Sequence, residues 1–207
     1  MTSVLRFDMD LQPSTGHNVC MNMKRAERPL LFDTPAGFDE PLEMLLGCHR
    51  RIEKQLATLR RLREHVDARG VDPEATQAAQ AILNYFERAA PNHHHDEELD
   101  LFPMLEARIT DAGEATRFRA FRDSLLADHR ALEAAWARMR RPLEAIADGL
   151  PRHLSETDVH QFAEGYARHI VTEEKALAEF FQRWLDDADR RQLGRSMAAR
   201  RKISPAP

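Results

Sequence analysis

The chain contains four His-x3-Glu units, and the sequences around them repeat in the order A-B-A-B. The two A units lie in similar nine-residue stretches, residues 45–53 and 125–133. The B units share one spacing, in which Phe86, His93, Glu97, Glu98 and Leu101 recur as Phe162, His169, Glu173, Glu174 and Leu177. Residues four apart lie on one face of an α-helix, one turn above the other. The duplication therefore predicts four helices, each with one His–Glu pair on a single face.

Composition and periodicity favour an all-α fold. Among 207 residues there are only 8 glycines and 7% aromatic residues, and Ala, Leu, Glu and Arg dominate the middle of the chain. Four amphipathic segments joined by short links predict an up-down-up-down four-helix bundle, followed by a short extra helix at the C-terminus. In this topology the first and third helices are diagonal, as are the second and fourth. The A units then face each other across the core, and so do the B units.

Prolines and glycines divide the chain into three parts. Residues 1–37 lack helical periodicity and are rich in proline and glycine, so we expect an irregular N-terminal arm. Residues 38–187 form the predicted four-helix bundle, and residues 188–207 form the short C-terminal helix and tail.

Individual residues predict where the helices begin, bend and end. Asp39, followed by Pro41, is the expected N-cap of the first helix, and Ser155 or Thr157 that of the fourth. Pro91 falls inside the second helix and predicts a kink there. Pro142 is expected to distort or end the third helix.

Charge and hydropathy exclude several classes of partner. A formal net charge of −4 with 31% charged residues describes an ordinary solvated surface, which favours neither nucleic acid nor an anionic membrane. No apolar run approaches the ~18 residues of a membrane-spanning helix, and the first residues lack the apolar core of a secretory signal. Cys20 and Cys48 are too few for a disulfide framework, so a cytoplasmic location is the expectation.

The histidines of the B units lie on the apolar face of their helices. His93 has Phe86 seven residues before it and Leu101 eight residues after it, and the second B unit repeats this pattern. Buried imidazoles and carboxylates are costly unless they are hydrogen-bonded, paired or bound to metal. Two metal ions ~3.5–4 Å apart, bridged by carboxylates, would compensate all eight groups. Imidazole and carboxylate ligands suit iron, manganese or zinc. The alternative is a polar network in a metal-free helical interaction module.

Three consecutive histidines make the first B unit ambiguous. His94 and Glu98 have the same spacing as the assigned pair, but the residue seven positions before His94 is a glutamate, whereas a phenylalanine precedes His93 at that distance. We therefore assign His93 as the ligand. His94 and His95 are expected beside the ligands or at the surface.

This pattern resembles the hemerythrin-like (HHE cation-binding) family over roughly residues 39–185, and the segment Glu-Glu-Leu-Asp-Leu-Phe-Pro at 97–103 is the most specific local match. The resemblance implies a four-helix bundle that holds a non-haem di-iron centre. Its implied terminal ligands are His49, His93, His129 and His169, and its implied bridging carboxylates are Glu97 and Glu173. Glu53 and Glu133 either complete the coordination of the metals or hydrogen-bond to their ligands.

The family resemblance implies a protein that binds or senses O2, NO or reactive oxygen or nitrogen species, or that handles iron. Oxygen-carrying hemerythrins have a further histidine four residues after that of the third helix, where this chain has Glu133. This difference argues against classical oxygen carriage. The chain is more similar to members with four histidines plus carboxylates, including bacterial proteins implicated in iron-centre repair and nitric oxide response. A di-iron oxidase, peroxidase or NO reductase is the enzymatic alternative, although no catalytic residue stands out.

Overall fold

The structure, a computed structural model, describes residues 37–203, and all regular secondary structure in this range is helical. The helices are α1 Pro41–Arg69, α2 Pro73–Asn84, α3 Ala90–His95, α4 Phe102–Arg108, α5 Ala112–Ala147, α6 Glu156–Trp184 and α7 Asp187–Arg200. The segments α2, α3 and α4 belong to one continuous helix over residues 73–108, which we call the composite helix. Apart from Gly37, the predicted N-terminal arm lies outside the described residues, as does the end of the tail after Ile203.

The predicted four-helix bundle is confirmed. Helix α1 packs against the composite helix and α6, and α5 packs against the same two neighbours. These contacts close a ring in which α1 lies opposite α5 and the composite helix lies opposite α6. The extra C-terminal helix, α7, is also present and packs against α1 and the composite helix. None of the helices within residues 37–203 is both long and apolar enough to cross a bilayer.

The helix boundaries agree with the capping pattern except at the first helix. Ser155, not Thr157, caps α6 by accepting a hydrogen bond from the backbone N–H of Asp158. The expected Asp39 cap is wrong, because Glu40 occupies the N-cap position of α1 and no side chain caps it. Pro41 follows directly, and proline suits this first position since it has no N–H to satisfy and its φ is already helical.

Pro142 lies inside α5 but does not end it. A proline inside a helix costs about 3 kcal/mol, because a backbone hydrogen bond is lost and the ring clashes with the preceding turn. Helix α5 nevertheless continues to Ala147, and Leu143 and Ile146 beyond the proline are fully buried. Burial of two large aliphatic side chains outweighs this cost.

The composite helix widens into π-helix at two places, Tyr85–Ala89 (π1) and Asp96–Leu101 (π2). Each π segment ends two residues before a proline, Pro91 or Pro103. A proline ring collides with the carbonyl group four residues earlier, and a wider turn relieves this collision. At Pro91, where the sequence predicts a kink, the structure shows a widened turn. Such widened turns are frequent at functional sites.

A layer of histidine and glutamate separates two apolar halves of the bundle. One apolar half includes Ile52, Phe86, Leu132 and Phe162, and the other includes Leu45, Leu101, Leu125 and Leu177. His49 and His129 each lie between a leucine of the second half and an aliphatic residue of the first. The bundle therefore encloses its polar layer from both ends.

Helix α7 is attached to the composite helix by ion pairs and to the segment before α1 by a close backbone contact. Asp96, which is 0% exposed, accepts hydrogen bonds from Arg200 and Arg201 at 2.9 and 2.6 Å. A Cβ atom at Gly194 would lie 1.8 Å from the carbonyl oxygen of Phe38, so only glycine allows this approach. Asp96 begins π2 and directly precedes Glu97. The contacts of α7 thus support the helix turn that carries a predicted ligand.

Candidate metal centre

Six predicted ligands meet in the middle of the bundle and are almost completely shielded from solvent. The exposed fractions are 1% for His49, 4% for His129 and 0% for His93, His169, Glu97 and Glu173. They come from all four helices, since His49 lies on α1, His129 on α5, and each B unit on one of the other two. Four of these side chains, His49, His93, Glu97 and Glu173, each offer a ligand atom within 4.8 Å of the others. Ligands on opposite sides of a single ion lie about 4.2 Å apart, because metal–ligand bonds are about 2.1 Å long.

The six side chains form two matching half-sites. In the first half-site, one carboxylate oxygen of Glu97 lies 3.2 Å from Nε2 of His93, and the other lies 3.3 Å from Nε2 of His129. In the second half-site, one oxygen of Glu173 lies 3.2 Å from Nε2 of His169 and 3.3 Å from Nε2 of His49. Each half-site thus joins the B unit of one helix to the A-unit histidine of a neighbouring helix. The two half-sites correspond under the internal sequence repeat.

The polar atoms at the centre are close together but are not satisfied by each other. Buried side-chain atoms without a hydrogen-bond partner include Nε2 of all four histidines and both carboxylate oxygens of Glu97 and Glu173. Buried polar groups are normally hydrogen-bonded, and each unsatisfied group costs about 1–3 kcal/mol. A cation between the half-sites would satisfy these lone pairs together. The residues present therefore fit a metal centre, and their nitrogen and oxygen donors fit iron, manganese or zinc.

Comparisons with known proteins agree with this geometry. The family model of the hemerythrin HHE cation-binding domain matches residues 40–181 of the chain. The chain belongs to this family. An uncharacterized protein of Haemophilus influenzae is 32% identical over 168 residues, which span 81% of this chain and 94% of that protein. Membership of the HHE family and the convergent His–Glu clusters support a metal-binding protein.

A second carboxylate in each B unit of the HHE domain holds the histidine of an A unit from outside. Glu174 lies 2.9 Å from Nδ1 of His49, and Glu98 lies 2.5 Å from Nδ1 of His129. A carboxylate on Nδ1 fixes the tautomer that leaves Nε2 free for metal and makes the ring a better donor. Sequence reasoning missed this role. The sequence does contain a pattern that could have indicated this role, because a second glutamate directly follows the ligand glutamate in both B units.

The two inner carboxylates of the HHE domain have opposite pKa shifts. Burial, together with the nearby negative charge of Glu173, raises the pKa of Glu97 well above its usual range. Burial also acts to raise the pKa of Glu173, but the imidazoles of His169 and His49, 3.2 and 3.3 Å away, outweigh it and hold this pKa well below its usual range. Burial lowers the pKa of His93 well below its ordinary value, so this imidazole stays neutral. Without a cation, the buried cluster thus keeps one carboxyl protonated.

The remaining two predicted residues do not converge with the cluster. Glu53 and Glu133 are both exposed on the HHE domain, and neither belongs to a group of converging ligand atoms in the described chain. Each lies four residues after the histidine of an A unit. Helix geometry alone therefore predicted that its side chain would point into the bundle. By contrast, His94 lies beside the ligands, one of the two places expected for it, and its ring stacks on His129 at a centroid distance of 4.0 Å.

We expect the affinity of the HHE domain for divalent metal to rise with pH. Metal binding must displace the proton of Glu97, whose pKa in the metal-free protein is raised well above 4.5. Between pH 4.5 and this raised pKa, each displaced proton should strengthen apparent binding up to about tenfold per pH unit. Competition with a chelator at several pH values measures this slope. An affinity that is constant over the range would contradict the assignment.

Removal of the outer carboxylates should weaken metal binding without abolishing it. In Glu98→Gln and Glu174→Gln, the A-unit histidines lose the partner that orients them, and loss of such partners typically costs about 10-fold to 100-fold in metal affinity. Titration of the metal-free variants with ferrous iron measures the loss. Glu53→Gln is the matched control and should bind as the unmodified protein does. Equal affinities for all four proteins would exclude an orienting role.

Proposed function

We propose that this HHE domain is a non-haem di-iron protein that binds or senses a small ligand such as O2, NO or a reactive oxygen or nitrogen species. The observation that supports it most is the pair of matching half-sites. Each half-site supplies two imidazole nitrogens and a carboxylate, and two such sets sharing one buried layer suit two cations. Metal pairs in proteins are typically about 3.5–4 Å apart.

The donor set favours iron over a structural zinc ion. Structural zinc sites are usually closed by four ligands that often include thiolates. Within residues 37–203 Cys48 is the only cysteine, but its sulfur accepts a hydrogen bond from Arg51 and belongs to none of the groups of converging ligand atoms. Three protein donors in each half-site leave a six-coordinate ion incompletely enclosed. When bound, iron supplies one-electron chemistry and positions for a small ligand.

The residues of this chain would hold and tune such a pair of ions. Glu97 and Glu173, each within 3.3 Å of two imidazole nitrogens, would be the carboxylates that bridge the ions, as the family resemblance implies. Glu98 and Glu174 orient His129 and His49 through Nδ1. The two apolar halves of the bundle exclude bulk water from both ends, which strengthens every electrostatic interaction inside. Four neutral imidazoles add no negative charge, a composition that favours small-ligand binding over strongly oxidising chemistry.

The direct experiment is metal analysis of protein purified without added metal, combined with its ultraviolet-visible spectrum. We expect about two irons per chain and ligand-to-metal charge-transfer bands that change when the reduced protein meets O2 or NO. A protein that contains only zinc, or whose spectrum responds to neither gas, would overturn the proposal. Turnover of hydrogen peroxide or NO, rather than one stoichiometric adduct, would instead favour the enzymatic alternative.

Removal of the metal should destabilise the bundle. A ligand that binds only the folded protein stabilises it by about 4 kcal/mol at a concentration 1,000-fold above its Kd. Chelation should therefore lower Tm, by roughly 10 °C for a domain of this size. Differential scanning calorimetry before and after chelation, with re-addition of iron as the control, measures this change. An unchanged Tm would favour the metal-free interaction module.

A further inference from the structure

A cavity of about 220 Å³ opens beside the first half-site. Its walls include the rings of Phe86, Trp136 and Tyr166, and His94 and His129 lie along one side. Of the six clustered residues, His129 is the one that lines this cavity, so the cavity meets the first half-site. Its volume is below the range of about 300–1,000 Å³ typical of pockets for drug-sized ligands. It suits a molecule of only a few atoms.

The cavity depends on residues that break the internal repeat. Ala90 lines it at the position where the other B unit has Tyr166, so a small side chain leaves room on this side. The counterpart of His94 in the other B unit is Ile170, a buried core residue. The two half-sites are therefore alike in their ligands and different in their surroundings. An open, partly polar pocket exists at the first half-site.

His94 presents an unused hydrogen-bonding atom here. Its Nε2 is buried and has no hydrogen-bond partner. One ring nitrogen of His94 lies near ring nitrogens of His129 and His169, all within 4.8 Å of one another. However, the rings of His94 and His129 are stacked, with centroids 4.0 Å apart and planes 11° apart. An imidazole nitrogen binds metal through a lone pair that lies in the plane of its ring. Because the planes of two stacked rings are parallel, these lone pairs do not point at one common ion. Joint coordination of one ion by this pair is thus disfavoured.

We propose that this cavity is the entry and binding pocket for a small anionic or diatomic ligand, and that Nε2 of His94 hydrogen-bonds to this ligand. The inference rests on the proposed di-iron function. It adds that the ligand enters at the first half-site and that His94 is the residue that contacts it. The cavity wall combines the aromatic rings with the charged side chains of Glu98, Arg130 and Glu133. Its aromatic part limits contact of the ligand with water, which strengthens a hydrogen bond there.

Azide binding to the oxidised, iron-loaded protein tests the proposal, because azide is a three-atom anion whose adduct with ferric iron is visible spectroscopically. In His94→Ile, which copies the residue of the other half-site, we expect an unchanged iron content and about tenfold weaker azide binding, the effect of one lost hydrogen bond. His94→Gln retains a donor near the position of Nε2 and should recover most of the affinity. His160→Ile is the control, since His160 is an exposed histidine of α6 that does not line this cavity, and should bind azide normally.

The outcomes separate this proposal from the one on which it rests. Equal azide affinity in His94→Ile and the unmodified protein, with two irons in each, would overturn the role of His94 and leave the di-iron function standing. Loss of iron from His94→Ile would also overturn it, because His94 would then be a metal ligand. An unmodified protein that holds no iron would overturn the di-iron function and this inference with it.

Discussion

Replacement of Glu97 and Glu173 together by alanine is expected to empty the metal centre, from about two ions per chain to nearly none. Both carboxylates are 0% exposed, and each lies within 3.3 Å of two imidazole nitrogens. Without them the cavity between the helices keeps only imidazoles, which carry no negative charge to offset that of two divalent or trivalent cations. Metal analysis of the purified double variant measures the loss.

Matched controls for this variant are present in the same chain. Glu53→Ala and Glu133→Ala remove glutamates that occupy equivalent positions in the A units but are exposed. Both single variants should retain the full metal content. Full iron in Glu97→Ala plus Glu173→Ala would refute the bridging assignment, and loss of iron from Glu53→Ala or Glu133→Ala would restore these residues as candidate ligands. Circular dichroism checks that each variant keeps its helices.

Replacement of Arg200 and Arg201 together by glutamine is expected to destabilise the domain by about 3 kcal/mol. Asp96 is fully buried and hydrogen-bonds to both guanidinium groups, so the variant leaves an unpaired carboxylate in the protein interior. Such a loss lowers Tm by roughly 10 °C in a domain of this size. Thermal and urea denaturation of the iron-loaded protein measure the change.

Two further variants show whether this destabilisation arises from the buried charge. Arg195→Gln removes an exposed arginine of the same helix and should leave Tm unchanged. Adding Asp96→Asn to the double variant removes the unpaired charge and should recover part of the stability. A triple variant no more stable than the double variant would show that α7 contributes by packing alone, through residues such as Leu193 and Met197.

The bundle could be predicted because its determinants are local and repeated. Helical spacing, capping residues and the glycine and proline positions are properties of short segments, and the duplication relates distant segments to one another. The spacing of Phe86 and Leu101 around His93 correctly identified the face that is buried. At Pro91 the same local reasoning predicted a disturbed helix but not a widened π turn, since the form of the disturbance depends on which arrangement lets the flanking residues pack.

The glutamates of the four His-x3-Glu units also show what sequence alone could and could not predict. Four His-x3-Glu units look equivalent in sequence, yet the glutamates of the B units are buried and those of the A units are exposed. A helix that turns its histidine inward need not turn the residue four positions later equally inward, because 3.6 residues per turn leave the two about 40° apart. Packing against the neighbouring helices decides which of the two side chains points into the core. The same packing directs Glu98 and Glu174 to the outer nitrogens of histidines on other helices.

By itself, the sequence determined an all-α bundle and the residue types at its centre, since periodicity and duplication are properties of the chain alone. Tertiary structure decided which carboxylates meet which imidazoles, how α7 supports the turn before Glu97, and why one half-site has a cavity with His94 at its side. These features depend on contacts between residues far apart in sequence, such as Glu174 with His49 and Asp96 with Arg201. Their distances and directions exist only once the helices have packed.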